Sequence, residues 1–347
     1  MASSKSVSFR THLLSNTLDL MAEIDLECSL TSKLISGIVS QLAAYTEEGV
    51  PLKPAVFICN SISALLQRAG VGEYIPLSGD IASDTAGPKI LKAAAPLCRD
   101  NWRIYIERSS TGQTCKFGVF CGSSDPSSLT VDEVVLDSFS HGFPVIKIAQ
   151  SAVNKVEVRT NSGSKIEFRF NNDNDMSELN SEAHIHGLAN AISANLGDDS
   201  EIFSSFVERL LSSAVNNSHG TLIAVISSDT DILPVSLQDA VLLSPSINLF
   251  DKVKLHTDEG KTAISVSRLQ AAAELVSGFI NSDGITIFNK SGCVLGYRAF
   301  IRNDEMSNIS GGARSRAFES MKQLIGSELS AAFFRSQDGR TDLHTIY

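Results

Sequence analysis

Three short segments toward the C-terminal end of this 347-residue chain carry residue types suited to phosphoryl chemistry. The first is Asp283-Gly284, an acidic turn. The second is Gly312-Ala313-Arg314-Ser315-Arg316, where two guanidinium groups flank a serine. The third is Ser336-Gln337-Asp338-Gly339, another acidic turn. A carboxylate can hold a divalent metal ion against phosphate oxygens. Paired arginines can neutralise a triphosphate through bidentate hydrogen bonds, and a glycine-led helix start adds free backbone N–H groups and a positive dipole end. Arginines in a first helical turn oppose the helix dipole, so a bound anion gives their placement a physical reason.

The surrounding pattern sets each segment at the end of an element. An apolar run of helical spacing over 269–280 precedes Asp283-Gly284, and the strand-like run 285–288 follows it. Asn289-Lys290-Ser291-Gly292 is a hairpin turn, and 293–301 has the content of its return strand. After Gly311-Gly312, the residues Ala317, Met321, Leu324 and Ile325 recur at helical spacing, with Gly326 as the stop. Residues 329–334 and 341–346 read as strands joined by the third segment. Upstream lie an amphipathic helix (Phe203, Phe206, Val207, Leu210, Leu211), a His219-Gly220 turn and the apolar strand 221–226.

In this order, residues from about 200 to 347 resemble the diadenylate cyclase domain, which condenses two ATP molecules into cyclic di-AMP. The family's Asp-Gly-Ala turn falls on Asp283, Gly284 and Ile285, and its Gly-Thr-Arg-His-Arg segment on Gly312 to Arg316. Its Ser-Glu-Glu turn falls on Ser336, Gln337 and Asp338. The resemblance implies catalytic roles for Asp283, Arg314 and Arg316. It implies nucleotide contacts from Gly284, Ile285, Phe300, Gly312, Ala313, Ser315, Ser336 and Gln337 together with both arginines, and a Mg2+ or Mn2+ ion on Asp283 and Asp338. ATP is then the substrate and pyrophosphate the leaving group. Each site makes only half of a symmetric product, so two such domains must meet face to face in a homodimer or higher homo-oligomer.

The chain departs from that pattern at four positions. Ile285 stands for alanine, Ala313 for threonine, Ser315 for histidine and Gln337 for a carboxylate. Each lost hydrogen bond to phosphate removes about 1–3 kcal/mol. The alternative expectation is therefore a nucleotide-binding sensor of the same fold with weak or no turnover.

Composition sets the frame for these segments. A 43% hydrophobic and 20% charged sequence with mean hydropathy +0.06 predicts one large or two ordinary domains with a sizeable core. A net charge of −10 and pI near 5.2 argue against a broad nucleic-acid surface, which needs clustered Lys and Arg. The six cysteines form no C-x-x-C pair, so reduced thiols are expected. No apolar run approaches the roughly eighteen residues needed to cross a bilayer, and the first residues lack a secretory apolar region. A cytoplasmic protein without membrane or nucleic-acid partners is expected. The phosphate-loop pattern G-x-x-x-x-G-K-[ST] is absent.

The fold class predicted is α/β. A mixed sheet with flanking helices forms the cyclase-like domain at 200–347, preceded by a separate α+β domain at 1–182, with a linker at about 171–200. The first domain is expected to act as a sensor or regulatory module for a small ligand or protein. Within it, 30–45 has helical spacing, 55–59 is a buried strand, and Asn60 is placed to cap a helix over 61–69. A short helix over 89–95 ends at Pro96, and 102–108 pairs with 115–121. Strands at 145–149, 153–160 and 165–170 follow, the last two joined by Asn161-Ser162-Gly163-Ser164. Residues 184–196 resume helically. His184 and His186 fall on different helix faces, which argues against a shared metal, and Asp173, Asp175 and Glu178 lack the central glycine of a calcium loop.

Overall fold

A computed structural model describes residues 9–47, 49–70, 73–99, 101–137, 143–152, 154–170, 181–197, 200–227, 232–301, 312–337 and 339–346. The chain divides into two compact units, Met1–Ser124 with Ser128–Asp173, and Asp125–Ser127 with Asn174–Tyr347. Each unit is mixed α/β, as the composition and patterning predict.

The first unit contains α1 (Phe9–Ala22), α2 (Ser29–Leu42), β1 (Thr46–Glu47), β2 (Val50–Pro51), β3 (Val56–Cys59) and α3 (Ile62–Ala69). It continues with β4 (Tyr74–Pro76), β5 (Ile81–Ala82), α4 (Ala86–Ala94), β6 (Trp102–Arg108), β7 (Thr114–Cys121) and α5 (Val131–Val135). It closes with β8 (Val145–Ala152), β9 (Lys155–Thr160) and β10 (Lys165–Arg169). Strands β1 and β2 form a small ribbon, and the rest build an eight-stranded sheet in the order β10-β9-β8-β3-β6-β7-β4, with β5 also on β7. The four residues of β3 are buried on both faces, as expected for a continuous apolar run at the centre of a sheet. Val56 and Ile58 join a core with Leu34, Ile38 and Ile90 of α2 and α4, while Phe57 and Cys59 join Leu65 of α3 and Val135 of α5.

The second unit contains α6 (Ser181–Ile192), α7 (Ser200–Asn217), β11 (Thr221–Ile226), β12 (Val241–Asn248), α8 (Leu249–Asp258) and α9 (Ala263–Ile280). Then come β13 (Ile285–Phe288), β14 (Cys293–Ala299), α10 (Ala313–Gln323), β15 (Leu329–Arg335) and β16 (Thr341–Thr345). The sheet order is β12-β14-β13-β11-β15-β16, with β11 and β13 parallel and the other pairs antiparallel. Period-two alternation sends Ile223 and Val225 of β11 into a core with α6, α7 and α9. Leu222 and Ala224 go into a second core with Phe318 and Met321 of α10.

Several boundaries differ from the sequence expectation. The helix cap in the first unit is Ser61 and not Asn60: the Ser61 hydroxyl accepts the Ala64 N–H at 3.2 Å, and Ser61 has the extended backbone of a cap. Helix α4 starts at Ala86, three residues before the predicted start, and α6 ends at Ile192. Helix α6 packs Ile185 and Leu188 into the core of the second unit, so this stretch is part of a folded body and not a connector. The sequence pattern does not predict helices α1, α5 and α8 or strand β12. The acidic stretch with Asp173, Asp175 and Glu178 lies outside the described residues.

Candidate functional site

Register brings the first two segments of the site together. Leu222 of β11 pairs with Ile285 of the parallel strand β13, so the turns preceding those strands, His219-Gly220 and Asp283-Gly284, emerge side by side at one sheet end. The Thr221 hydroxyl donates to the Ile280 carbonyl at 2.7 Å, tying the start of β11 to the end of α9. Gly284 has φ +93, and a methyl there would lie 2.8 Å from Arg298 Cα and 3.0 Å from the Ala299 carbonyl oxygen. Only glycine both adopts that backbone and lets the turn pack against β14. Arg298 itself has φ +57, close to where the β13–β14 register shifts.

Helix α10 delivers the arginines. Its cap is Gly312, which has no side-chain hydrogen bond, and the first helical bond runs from the Arg316 N–H to the Gly312 carbonyl at 3.1 Å. The N–H groups of Ala313, Arg314 and Ser315 precede that bond and have no intrahelical partner, and the first turn holds no acidic residue. The helix is fixed on the opposite side by Phe318, buried and stacked on Phe334 at 5.4 Å, and by fully buried Met321.

Between these elements is a cavity of about 320 Å3. Leu222, Ile285, Ala299 and Ala317 give it an apolar wall, while Asp283, Arg314, Arg316 and Phe300 supply polar and aromatic groups. Arg314 Nη2 is 3.8 Å from Asp283 Oδ1, and Arg314 Nη1 donates to the His219 carbonyl at 3.4 Å. Asp283 is 72% exposed and Arg314 41%, so the pair is worth at most about 1 kcal/mol and leaves both groups available to a ligand. Gly220, at φ +112, permits this approach: a methyl there would stand 3.2 Å from Arg314 Nη1, 3.1 Å from the Arg335 carbonyl oxygen and 3.4 Å from the Gln337 amide nitrogen. Phe300 is half exposed, and its backbone N–H donates to both carboxylate oxygens of Asp239, at 3.1 and 3.3 Å.

The structure thus gathers Asp283, Gly284, Ile285, Phe300, Ala313, Arg314 and Arg316 around one cavity. Gly312 and Ser315 belong to the same helix start but are not among the lining residues. Gln337 approaches through its backbone beside Gly220, and the Ser336 hydroxyl donates within its own turn to the Arg340 carbonyl at 3.2 Å. Asp338 lies outside the described residues. The sequence reading missed Leu222, Ala299, Ile301, Ala317 and Ser320 as lining residues, and Asp239 as the anchor of Phe300. Signals for two of these were present: Ser320 follows Arg316 by one helical turn, and alternation puts Leu222 on the same sheet face as Ala224.

Among the described residues, no three His, Cys, Asp or Glu side chains cluster as a metal cage. The donor set fits a different kind of ion. Mg2+ bound with a nucleotide takes one or two carboxylates and completes its octahedron with phosphate oxygens and water. Asp283, exposed at the mouth of an arginine-lined cavity, matches that requirement.

No family model, curated protein or solved structure matches this chain.

Proposed function

We propose that the second unit binds ATP in this cavity and acts as a diadenylate cyclase, joining two ATP molecules into cyclic di-AMP. The observation that carries this reading is the convergence of Asp283, Arg314 and Arg316 on one cavity beside the open start of α10. Asp283 would hold Mg2+ or Mn2+ together with phosphate oxygens, and the metal would supply Lewis-acid polarisation of the phosphate. Arg314, already oriented by the His219 carbonyl, and Arg316 would take the β- and γ-phosphates, assisted by the N–H groups of the first turn of α10. Phe300, half exposed, offers a ring face on which a purine can stack.

In the reaction, the 3′-oxygen of one ATP bonds to the α-phosphorus of the other as the bond from that phosphorus to the β-phosphate bridge breaks. Pyrophosphate leaves, the hydroxyl proton passes to solvent, and the same exchange in the opposite sense closes the ring. The residues supply position and charge compensation and no covalent chemistry. Because each copy holds one ATP, two copies must present their cavities to each other. Incubating the purified chain with ATP and Mn2+ should yield cyclic di-AMP detected by mass spectrometry, with none from Asp283→Asn. Absence of product across a wide range of protein concentration would overturn the reading.

A second reading, a nucleotide-binding sensor without turnover, is favoured by the exposed methyl of Ala313 at the cavity and by the position of Ser315 off its wall. Tight ATP binding in calorimetry with no pyrophosphate release would select it.

A further inference from the structure

The ladder between β12 and β14 runs out beside the cavity, and one side chain finishes it. Val241 pairs with Tyr297 and Leu242 with Gly296, so the same register continued sets Asp239 across from Ala299. Ala299 is the last residue of β14 and pairs on its other side with Ile285. Phe300 comes next, and its backbone N–H donates to Asp239 Oδ1 at 3.1 Å and Oδ2 at 3.3 Å. A carboxylate therefore accepts where a strand carbonyl would otherwise stand. A charged acceptor holds an N–H more strongly than a neutral one.

Asp239 is itself held from both sides. Ahead of it, Leu233 and Leu237 are buried in the same core as Leu222, Ile285 and Ala299. The turn Val235–Leu237 is closed by the Leu237 N–H on the Pro234 carbonyl at 3.0 Å, the Ala240 N–H reaches the Leu237 carbonyl at 3.2 Å, and the Ser236 hydroxyl donates to Glu328. Behind it, the chain lies close against β14, where the Cβ position of Gly296 is 3.0 Å from the Val241 carbonyl oxygen and 3.5 Å from Ala240 Cβ. The carboxylate is thus a short arm on a fixed base.

Phe300 is 47% exposed and lines the cavity together with Ile301, Arg314 and Arg316, whereas Asp239 is not among the lining residues. Holding the Phe300 N–H, with Ala299 already in the sheet, fixes the direction in which the aromatic side chain leaves the backbone. An aromatic group fixed before its ligand arrives loses less freedom on binding.

We propose that Asp239 is a positioning residue for nucleobase recognition, acting through Phe300: it sets the affinity for the base of a nucleotide without touching the phosphates. Asp239 has this role only if the cavity binds a nucleotide as proposed above.

The test titrates the full chain in calorimetry, with Mg2+, against ATP and separately against inorganic tripolyphosphate, which carries the charge and no base. Phe300→Ala is expected to raise the ATP Kd at least about fivefold, the loss of one base–aromatic stack. Asp239→Ala is expected to raise it at least about threefold and to leave tripolyphosphate within about twofold of wild type. Asp239→Asn keeps one acceptor oxygen and should restore most of the ATP affinity. The double variant should bind ATP no more weakly than Phe300→Ala alone, because both changes remove one platform. Unchanged ATP affinity in Asp239→Ala, loss of tripolyphosphate alongside ATP, an Asn variant as weak as the Ala variant, or additive losses in the double variant would each overturn the role of Asp239. A wild-type chain that binds both ligands equally overturns the base platform and leaves the phosphate site standing; one that binds neither overturns the nucleotide reading itself.

Discussion

Leu222 and Ile285 stand opposite each other in the parallel pair β11–β13, and this register sets the Asp283 turn beside the Gly220 turn that the Arg314 guanidinium of α10 packs against. The turns ahead of these two strands are Gly220, against which the Arg314 guanidinium packs, and Asp283-Gly284. The consequences can be measured.

Removing Arg314 should weaken ATP binding strongly. Hydrogen bonds to charged groups are worth about 1.5–3 kcal/mol, so Arg314→Ala should raise the ATP Kd by about 10- to 100-fold in calorimetry. Arg314→Lys should recover only part of this, because an ammonium cannot donate to the His219 carbonyl and fork onto phosphate at once.

Asp283→Asn should separate ligand affinity from folding. The carboxylate is exposed and its ion pair is long, so stability should stay within about 0.5 kcal/mol of wild type in chemical denaturation. The Mg2+-dependent part of ATP affinity should fall, which titrations with and without the metal will read directly.

Gly284→Ala should destabilise the second unit. Its φ of +93 is strained for any L side chain, and the methyl would meet Arg298 Cα and the Ala299 carbonyl, which are backbone atoms unable to swing away. A loss of about 1–3 kcal/mol is expected, seen as a lower midpoint in urea.

The pH dependence of stability should carry a signature of His184. Burial lowers its pKa, against a smaller opposing pull from Asp342, and its Nδ1 lies 3.0 Å from Thr341 Oγ1. A histidine with a depressed folded pKa binds fewer protons folded than unfolded. Stability is then lost as the pH falls through the unfolded value of about 6.5 toward the folded one. Urea midpoints at pH 5.5 and 7.5 should differ more for wild type than for His184→Gln.

Much of this architecture is legible in the sequence where pattern and punctuation agree. Strand β11 is a six-residue apolar run after a His-Gly turn, and the hairpin β13–β14 is marked by Asn289 to Gly292. Helix α1 is harder to see, because its buried stripe of Leu13, Thr17, Leu20 and Met21 includes a threonine that bonds Leu13 and Ser32 internally. Strand β12 opens on the apolar run Val241-Leu242-Leu243, but Ser244-Pro245-Ser246 interrupts it and half of its residues are exposed, so no alternation marks it as a strand. At the site, the charged residues announce themselves by type, but the cavity wall does not: Ala299 and Ala317 matter only through the tertiary approach of α10 to the sheet.

The alternation along β11 has a consequence for genetics. Ile223 and Val225 face a core shared with α6, α7 and α9, whereas Leu222, on the other side, faces the cavity beneath α10. Odd and even positions of one six-residue strand should therefore fall into different phenotypic classes. Small residues at 223 or 225 should deplete the protein from cells, while a change at 222 that keeps its bulk and alters its shape should leave the protein abundant and alter what it binds.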